Sequence, residues 1–164
     1  MKKFLAVAAL STFAALLIAA SNPKATGSCG WTNIYSPGNP QAQTTFAAIA
    51  TNASGPDAKG SLVYSDNNIT YSMDVKYIRK DGNVAWFAGK VTAVADTGNV
   101  GCCKVDNWIF YKVEDGAEPG IGIDRIWGED LGPVGSDVAL NRVLKGPDPN
   151  SPAFTINSGN IQVK

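Results

Sequence analysis

Histidine is missing from all 164 residues. Its absence excludes Ser-His-Asp and Cys-His nucleophilic catalysis and takes the usual nitrogen ligand away from the common zinc sites. Neither sign of charge dominates, with 14 basic and 14 acidic residues, so the clustered basic surface that nucleic acid requires is lacking. After residue 20 no run is apolar for long enough to span a bilayer. Helical periodicity is also absent there, and without a helix no Gly-rich loop can cradle phosphate at a helix start. Cysteine is limited to Cys29, Cys102 and Cys103, enough for one disulfide and one leftover thiol.

What is present begins with a leader. Lys2-Lys3 is followed by an apolar stretch from Phe4 to Ala20, broken only by Ser11 and Thr12, and then by small residues. This is the pattern of a secretory signal peptide over residues 1–20. A membrane anchor is the rival reading, since about 17 apolar residues is the lower limit for a crossing. Loss of the leader removes Lys2 and Lys3 and leaves a small acidic excess. Residues 21–164 then form one secreted domain, extracellular or periplasmic, long enough to bury a core without staples.

The remaining signals are strands. Trp108–Glu114 and Ile121–Gly128 are rich in aromatic and β-branched residues and flank a turn around Pro119-Gly120, the pattern of a β-hairpin. Ile69, Tyr71, Met73, Val75 and Tyr77 alternate with Thr70, Ser72, Asp74 and Lys76, so period two puts the apolar set on one face. Asp81-Gly82 favours a two-residue hairpin into a long strand over 84–95, where Gly89 marks a bulge or a close backbone approach. Further strands are expected at 44–51, 60–65, 154–156 and 159–164. Residues 21–45 read as loop apart from 30–35, 129–137 as loop, and 137–144 as a weak strand. Prolines exclude 145–152 from any central strand. The fold class is all-β, a single antiparallel barrel or sandwich of roughly eight to ten strands.

Cys102 and Cys103 are neighbours whose side chains diverge if the chain is extended, which favours a bridge from Cys29 to one of them. A vicinal Cys102–Cys103 ring is the alternative, and a metal site the weakest reading. At the hairpin tip Asp115, Glu118 and Asp124 offer oxygens of the kind calcium takes, although the spacing is not that of an EF-hand. Against calcium, the same aspartates serve as caps for their own turn; otherwise no cofactor is indicated. Paired carboxylates of glycosidase type would have to come from Asp74, Glu114, Asp115, Asp124, Glu129 and Asp130, acids that strand faces and turns also explain. Trp86, Trp108, Phe110 and Trp127 are candidates for a ligand-binding platform, with core packing as the default. Trp108 and Phe110 face opposite to Ile109, Tyr111 and Val113, so one set lies outside a single core unless the strand is covered on both faces.

The order of these signals resembles the post-choice-of-anchor type domain of exported bacterial proteins. The resemblance rests on Ser28-Cys29-Gly30-Trp31, Thr45-Phe46-Ala47, Gly60-Ser61-Leu62-Val63-Tyr64 and Ala85-Trp86-Phe87-Ala88-Gly89. It continues in the turn from Asp115 to Asp124, which has one residue more than the family's, then Arg125-Ile126-Trp127, and finally the run from Ser158 to Lys164. Lys164 stands where the family closes on histidine, and the cysteine pair is extra. The resemblance implies a secreted all-β domain of unassigned activity and brings no catalytic residue. Motifs at both termini suggest that the first and last strands pair and close a barrel. The sequence thus reads as a non-catalytic structural or adhesive surface component, with surface polysaccharide or self-association as the partners. A carbohydrate- or small-ligand-binding module using exposed aromatics is the competing class, and a carboxylate-based glycoside hydrolase a third.

Overall fold

The computed structural model describes residues 21–34, 38, 40–116, 122–146 and 153–164. Eight strands run antiparallel in chain order and close on themselves as a barrel. They are β1 (Lys24–Thr32), β2 (Gln41–Ala50), β3 (Ala58–Ser65), β4 (Ile69–Asp81), β5 (Val84–Asp96), β6 (Trp108–Glu114), β7 (Arg125–Gly132) and β8 (Phe154–Val163). One helix, α1 (Ser136–Lys145), lies between β7 and β8. Closure is made by the terminal strands, with Ala25 opposite Val163 and Gly27 opposite Ile161. Closure of this kind pairs the two strands that would otherwise be sheet edges.

Alternation fills the interior. Ile69, Tyr71, Met73 and Val75 of β4 point inward with Phe46, Leu62, Phe87, Ile109, Tyr111 and Val113. Thr70, Ser72, Asp74 and Lys76 point outward, so this strand meets water with polar and charged groups. A bulge between Val75 and Tyr77 then shifts the register. It turns Tyr77 outward and Ile78, only 1% exposed, inward, so the inward face expected for Tyr77 is corrected: an extra residue inverts the period beyond it. Gly89 stands opposite Val75 at this bulge, and a Cβ there would lie 2.4 Å from the Asp74 carbonyl oxygen. The close approach read from the sequence is therefore present.

Other expectations are corrected. Residues 24–29 and 41–43 are strand, not loop, and β7 begins at Arg125 and runs to Gly132, through residues read as loop. The weak strand at 137–144 is helical. Asp137 lies in the first turn of α1, Arg142 and Lys145 in the last, and Gly146 ends it at φ 72°, the charge order and stop signal that a helix favours. The turn at Pro119-Gly120 and most of 145–152 lie outside the described residues. Among the described residues no helix is long and apolar enough to cross a membrane.

Helix α1 gives the barrel its second apolar layer. Ala139 and Val143 are fully buried against Ala88, Trp108, Phe110 and Trp127 on the outside of β5, β6 and β7. Strand β6 is therefore covered on both faces, by the barrel interior on one side and by the helix on the other.

Candidate functional site

The aromatics proposed as an exposed platform do not form one. Trp108, Phe110 and Trp127 are at most 7% exposed, because α1 lies over them. Arg142 ties the helix down with a 2.9 Å bond from Nε to Glu129 Oε2, and its guanidinium sits 5.3 Å from the Phe110 ring. Tyr77 stacks on Trp108 at 5.6 Å between centroids. Trp86 is half-buried beneath Arg79, whose guanidinium carbon is 4.0 Å from the ring centroid. Their burial is that of a helix–sheet contact, in which large apolar rings supply the area.

The hairpin acids are occupied by backbone. Asp124 accepts Gly116 N–H with Oδ1 at 2.9 Å and Ile161 N–H with Oδ2 at 2.7 Å. Asp115 Oδ2 accepts Val163 N–H at 3.0 Å. The cause lies in the ladder: β7 pairs with β8 only through Arg125–Thr155 and Ile126–Phe154. Beyond that point β8 is paired with β1 alone, and on its other side carboxylates take the place of carbonyls for Ile161 N–H and Val163 N–H. Glu118, the third calcium candidate, lies outside the described residues. Of the other acids read as hydrolase candidates, Glu114 pairs with Lys112 and Arg125, Glu129 with Arg142, and Asp74 with Lys76.

A site that the sequence reading did not assemble lies at the barrel end where β1, β3, β5 and β7 finish. There a cavity of about 320 Å³ is lined by Trp31, Tyr64, Tyr71, Ile109 and Tyr111, with Asn33 and Asp130 among its polar members. Trp31 and Tyr64 meet edge to face at 6.0 Å, and Tyr64 stacks on Tyr71 at 4.9 Å. Trp31 Nε1 donates to Thr44 Oγ1 at 2.9 Å, which satisfies the indole. The Tyr64 hydroxyl accepts from Asn33 Nδ2 and donates to Asp66 Oδ2, both at 2.7 Å. Deeper in, the hydroxyls of Tyr71 and Tyr111 bond to each other. Burial pushes both phenols well above their ordinary value, so they stay neutral.

The loop of residues 97–107, between β5 and β6, covers this end. Val100 and Cys102 are partly buried against the core, and Cys103 is 7% exposed. Asp96 holds the loop by accepting Val100 N–H and Gly101 N–H at 2.9 Å each. Those donors hold its carboxyl below the ordinary range. From the other side Asp130 accepts Cys103 N–H at 2.7 Å, Gly132 N–H at 2.8 Å and the Asn107 amide at 3.2 Å.

The cysteines are arranged otherwise than expected. Cys29 is a buried free thiol inside the barrel, pushed up to about 12 by burial and by the charge of Asp124. The bridge from it to one of the pair is not made. Cys103 has φ 58°, so the chain is not extended here and the neighbouring side chains converge instead of diverging. Their sulfurs are 2.6 Å apart, and with a carboxylate oxygen of Asp130 they lie within 4.8 Å of one another.

Comparison of the chain with protein-family models, with curated proteins and with solved structures returns no match.

Proposed function

We propose that this is an exported ligand-binding barrel that takes a small, largely apolar molecule carrying a hydrogen-bond acceptor, held in the cavity beneath the loop of residues 97–107. The observation that carries the reading is the Tyr71–Tyr111 pair in the wall of that cavity. Two hydroxyls have two protons, and the bond between them uses one. Among the described hydrogen bonds the second has no acceptor, and an unsatisfied buried donor costs about 1–3 kcal/mol. A carbonyl or ether oxygen on a ligand satisfies it, while Trp31 and Tyr64 supply ring faces for the apolar part. The 320 Å³ volume is at the lower end for small-molecule sites. Eight strands also enclose about the smallest barrel that can hold one small ligand.

A carbohydrate platform of exposed aromatics is the weaker reading, because Trp108, Phe110 and Trp127 are under α1. The test is a fragment screen of the mature chain by ligand-observed NMR, followed by titration of the best binder. An aromatic ketone or ester should bind at least about tenfold more tightly than its hydrocarbon analogue, equivalent to about 1.4 kcal/mol. Tyr71→Phe with Tyr111→Phe should abolish that preference. Equal affinity for the two analogues in the unsubstituted chain would defeat the assignment.

A further inference from the structure

We propose that Cys102 and Cys103 are a redox-active pair that closes to a vicinal disulfide in the wall of the barrel-end cavity. Their sulfurs stand at 2.6 Å. Non-bonded heavy atoms rest at about 3.5–4.0 Å, and a disulfide bond is about 2.05 Å long. The pair is thus well inside contact distance and a short movement from bonding. Two further observations point the same way. The left-handed backbone at Cys103, φ 58°, is uncommon for a residue other than Gly, Asn or Asp. It is held by the Cys103 N–H bond to Asp130, and it turns two neighbouring side chains onto one side. Both residues also line the cavity with Tyr71 and Tyr111, so the bond forms where a ligand binds.

The competing occupant is a metal ion held by both sulfurs and Asp130. Two thiolates at 2.3 Å from a tetrahedral zinc would stand about 3.8 Å apart, wider than the pair is. The Asp130 oxygens, moreover, already accept from Cys103 N, Gly132 N and the Asn107 amide.

The chemistry balances with a small disulfide, R′S–SR′, as the oxidant. Cys102 is the more exposed of the two, and its thiol is held below the ordinary value by the hydrogen bond from Cys103. Its thiolate attacks one sulfur of R′S–SR′, which forms a mixed disulfide and releases R′S⁻. Cys103 then loses its proton and attacks Cys102 Sγ, which closes the ring and releases the second R′S⁻. Each leaving thiolate takes up one proton, so two protein thiols and R′S–SR′ become one protein disulfide and two R′SH. Neighbouring Cα atoms are about 3.8 Å apart across a trans peptide, below the about 4.4–6.8 Å usual for a disulfide. Such a ring is strained and readily reduced, the kind of bond that switches. The bond itself does not depend on the ligand-binding reading, whereas its effect on affinity does.

The test begins with the unsubstituted mature chain, equilibrated with oxidised glutathione, denatured without reductant, alkylated with iodoacetamide and mapped by mass spectrometry. The expected result is one alkyl group, on Cys29, and a loss of two hydrogens within the peptide that contains Cys102 and Cys103. Prior reduction should give three alkyl groups. Cys29→Ser should keep the two-hydrogen loss. Three alkyl groups without reductant, a crosslink from Cys29 to either neighbour, or a zinc ion retained by an unoxidised pair would overturn the proposal. Near-ultraviolet circular dichroism should change on oxidation as the ring reshapes the wall beside Tyr71 and Tyr111, and should not change in Cys102→Ser/Cys103→Ser. An anilinonaphthalene sulfonate probe should differ about threefold in Kd between the two states. Equal binding overturns the wall assignment; binding to neither state overturns the ligand-binding reading and leaves the mass result to decide the bond.

Discussion

Raising the pH from 8 to 11 should remove about 3 kcal/mol of stability through Tyr71 and Tyr111 alone. Both phenols are fully buried, and burial is the largest cause of their raised values. In the unfolded chain a tyrosine ionises near pH 10, while the folded phenol stays protonated. The unfolded state therefore gains a favourable ionisation that the folded state cannot follow. The contribution is complete below about pH 10 and is lost as pH climbs toward the folded values. At pH 11 each phenol accounts for between about 1 and 2 kcal/mol, so the pair accounts for about 3 against a total of about 5–15 for a domain. With a urea slope of about 1–3 kcal/mol/M, the unfolding midpoint should fall by about 1–3 M. Tyr64 and Cys29, also raised by burial, push in the same direction, so the pair is isolated by substitution. Tyr71→Phe should cost about 1 kcal/mol at pH 8 for the lost bond and then lose about 1–2 kcal/mol less than the unsubstituted chain by pH 11. Tyrosinate absorbance of the folded protein provides the independent check. If all five tyrosines ionise near pH 10 while the urea midpoint holds, the buried pair does not exist as described.

Three further outcomes follow from the same geometry. Phe110→Ala should destabilise by about 3–5 kcal/mol in urea unfolding, whereas an effect below about 0.5 kcal/mol would mean the ring faces water. Asp124→Ala leaves Gly116 N–H and Ile161 N–H without their acceptor and should cost about 2–3 kcal/mol; Asp124→Asn, which keeps one acceptor oxygen, should cost less, and calorimetry would order the two. Asp96 is held below the ordinary 3.8 by amide donors, so its hold on the loop is present above that pH and lost as pH falls through its lowered value. Amide exchange at Val100 and Gly101, followed by NMR, should accelerate there in the unsubstituted chain and show no such step in Asp96→Asn.

Much of the barrel is legible because β2 and the first part of β4 alternate with period two and the turns between strands carry ordinary turn residues. The alternation from Ile69 to Val75 and the opposed faces around Trp108 map onto the structure directly, and the expected hairpin is there with its two loop residues one position later, at Gly82-Asn83. What fails to show does so for stated reasons. From Lys24 to Gly30, strand β1 is composed of Lys, Ala, Thr, Gly, Ser and Cys, residues that suggest a loop. Its small side chains make room for larger ones opposite: a Cβ on Gly27 would lie 2.7 Å from the Phe46 ring. Helix α1 is hidden because it buries only Ala139 and Val143 and leaves Val138 and Leu144 exposed, so its apolar residues make no clean stripe. The cavity is not legible at all, since Trp31, Tyr64, Tyr71 and Tyr111 come from four strands and meet only after closure. The cysteine pair misleads through one dihedral angle, the positive φ of Cys103, which no neighbouring glycine announces at that position.

The acids are where the sequence most invites chemistry and where the barrel explains them best. Every buried amide of a closed barrel and its covering loop needs an acceptor, and strand carbonyls do not supply them all. At one end β8 outruns β7, and Asp115 and Asp124 accept the amides of Val163 and Ile161. At the other, the loop of residues 97–107 folds over the cavity without strand partners, and Asp96 and Asp130 accept its amides. The same residue type therefore closes the barrel at its base and holds the cover over its mouth. The two sets differ in consequence. Removing the lower pair exposes strand amides whose loss is felt by the whole fold, so the expected readout is global stability. Removing the upper pair frees a loop that carries Cys102 and Cys103, so the expected readout is access to the cavity, with the urea midpoint nearly unmoved. Asp96→Asn and Asp124→Asn, measured side by side for unfolding and for iodoacetamide labelling of the native reduced chain, should separate along that line. If Asp96→Asn lowers the midpoint as much as Asp124→Asn does, the loop is part of the fold's foundation and not a cover.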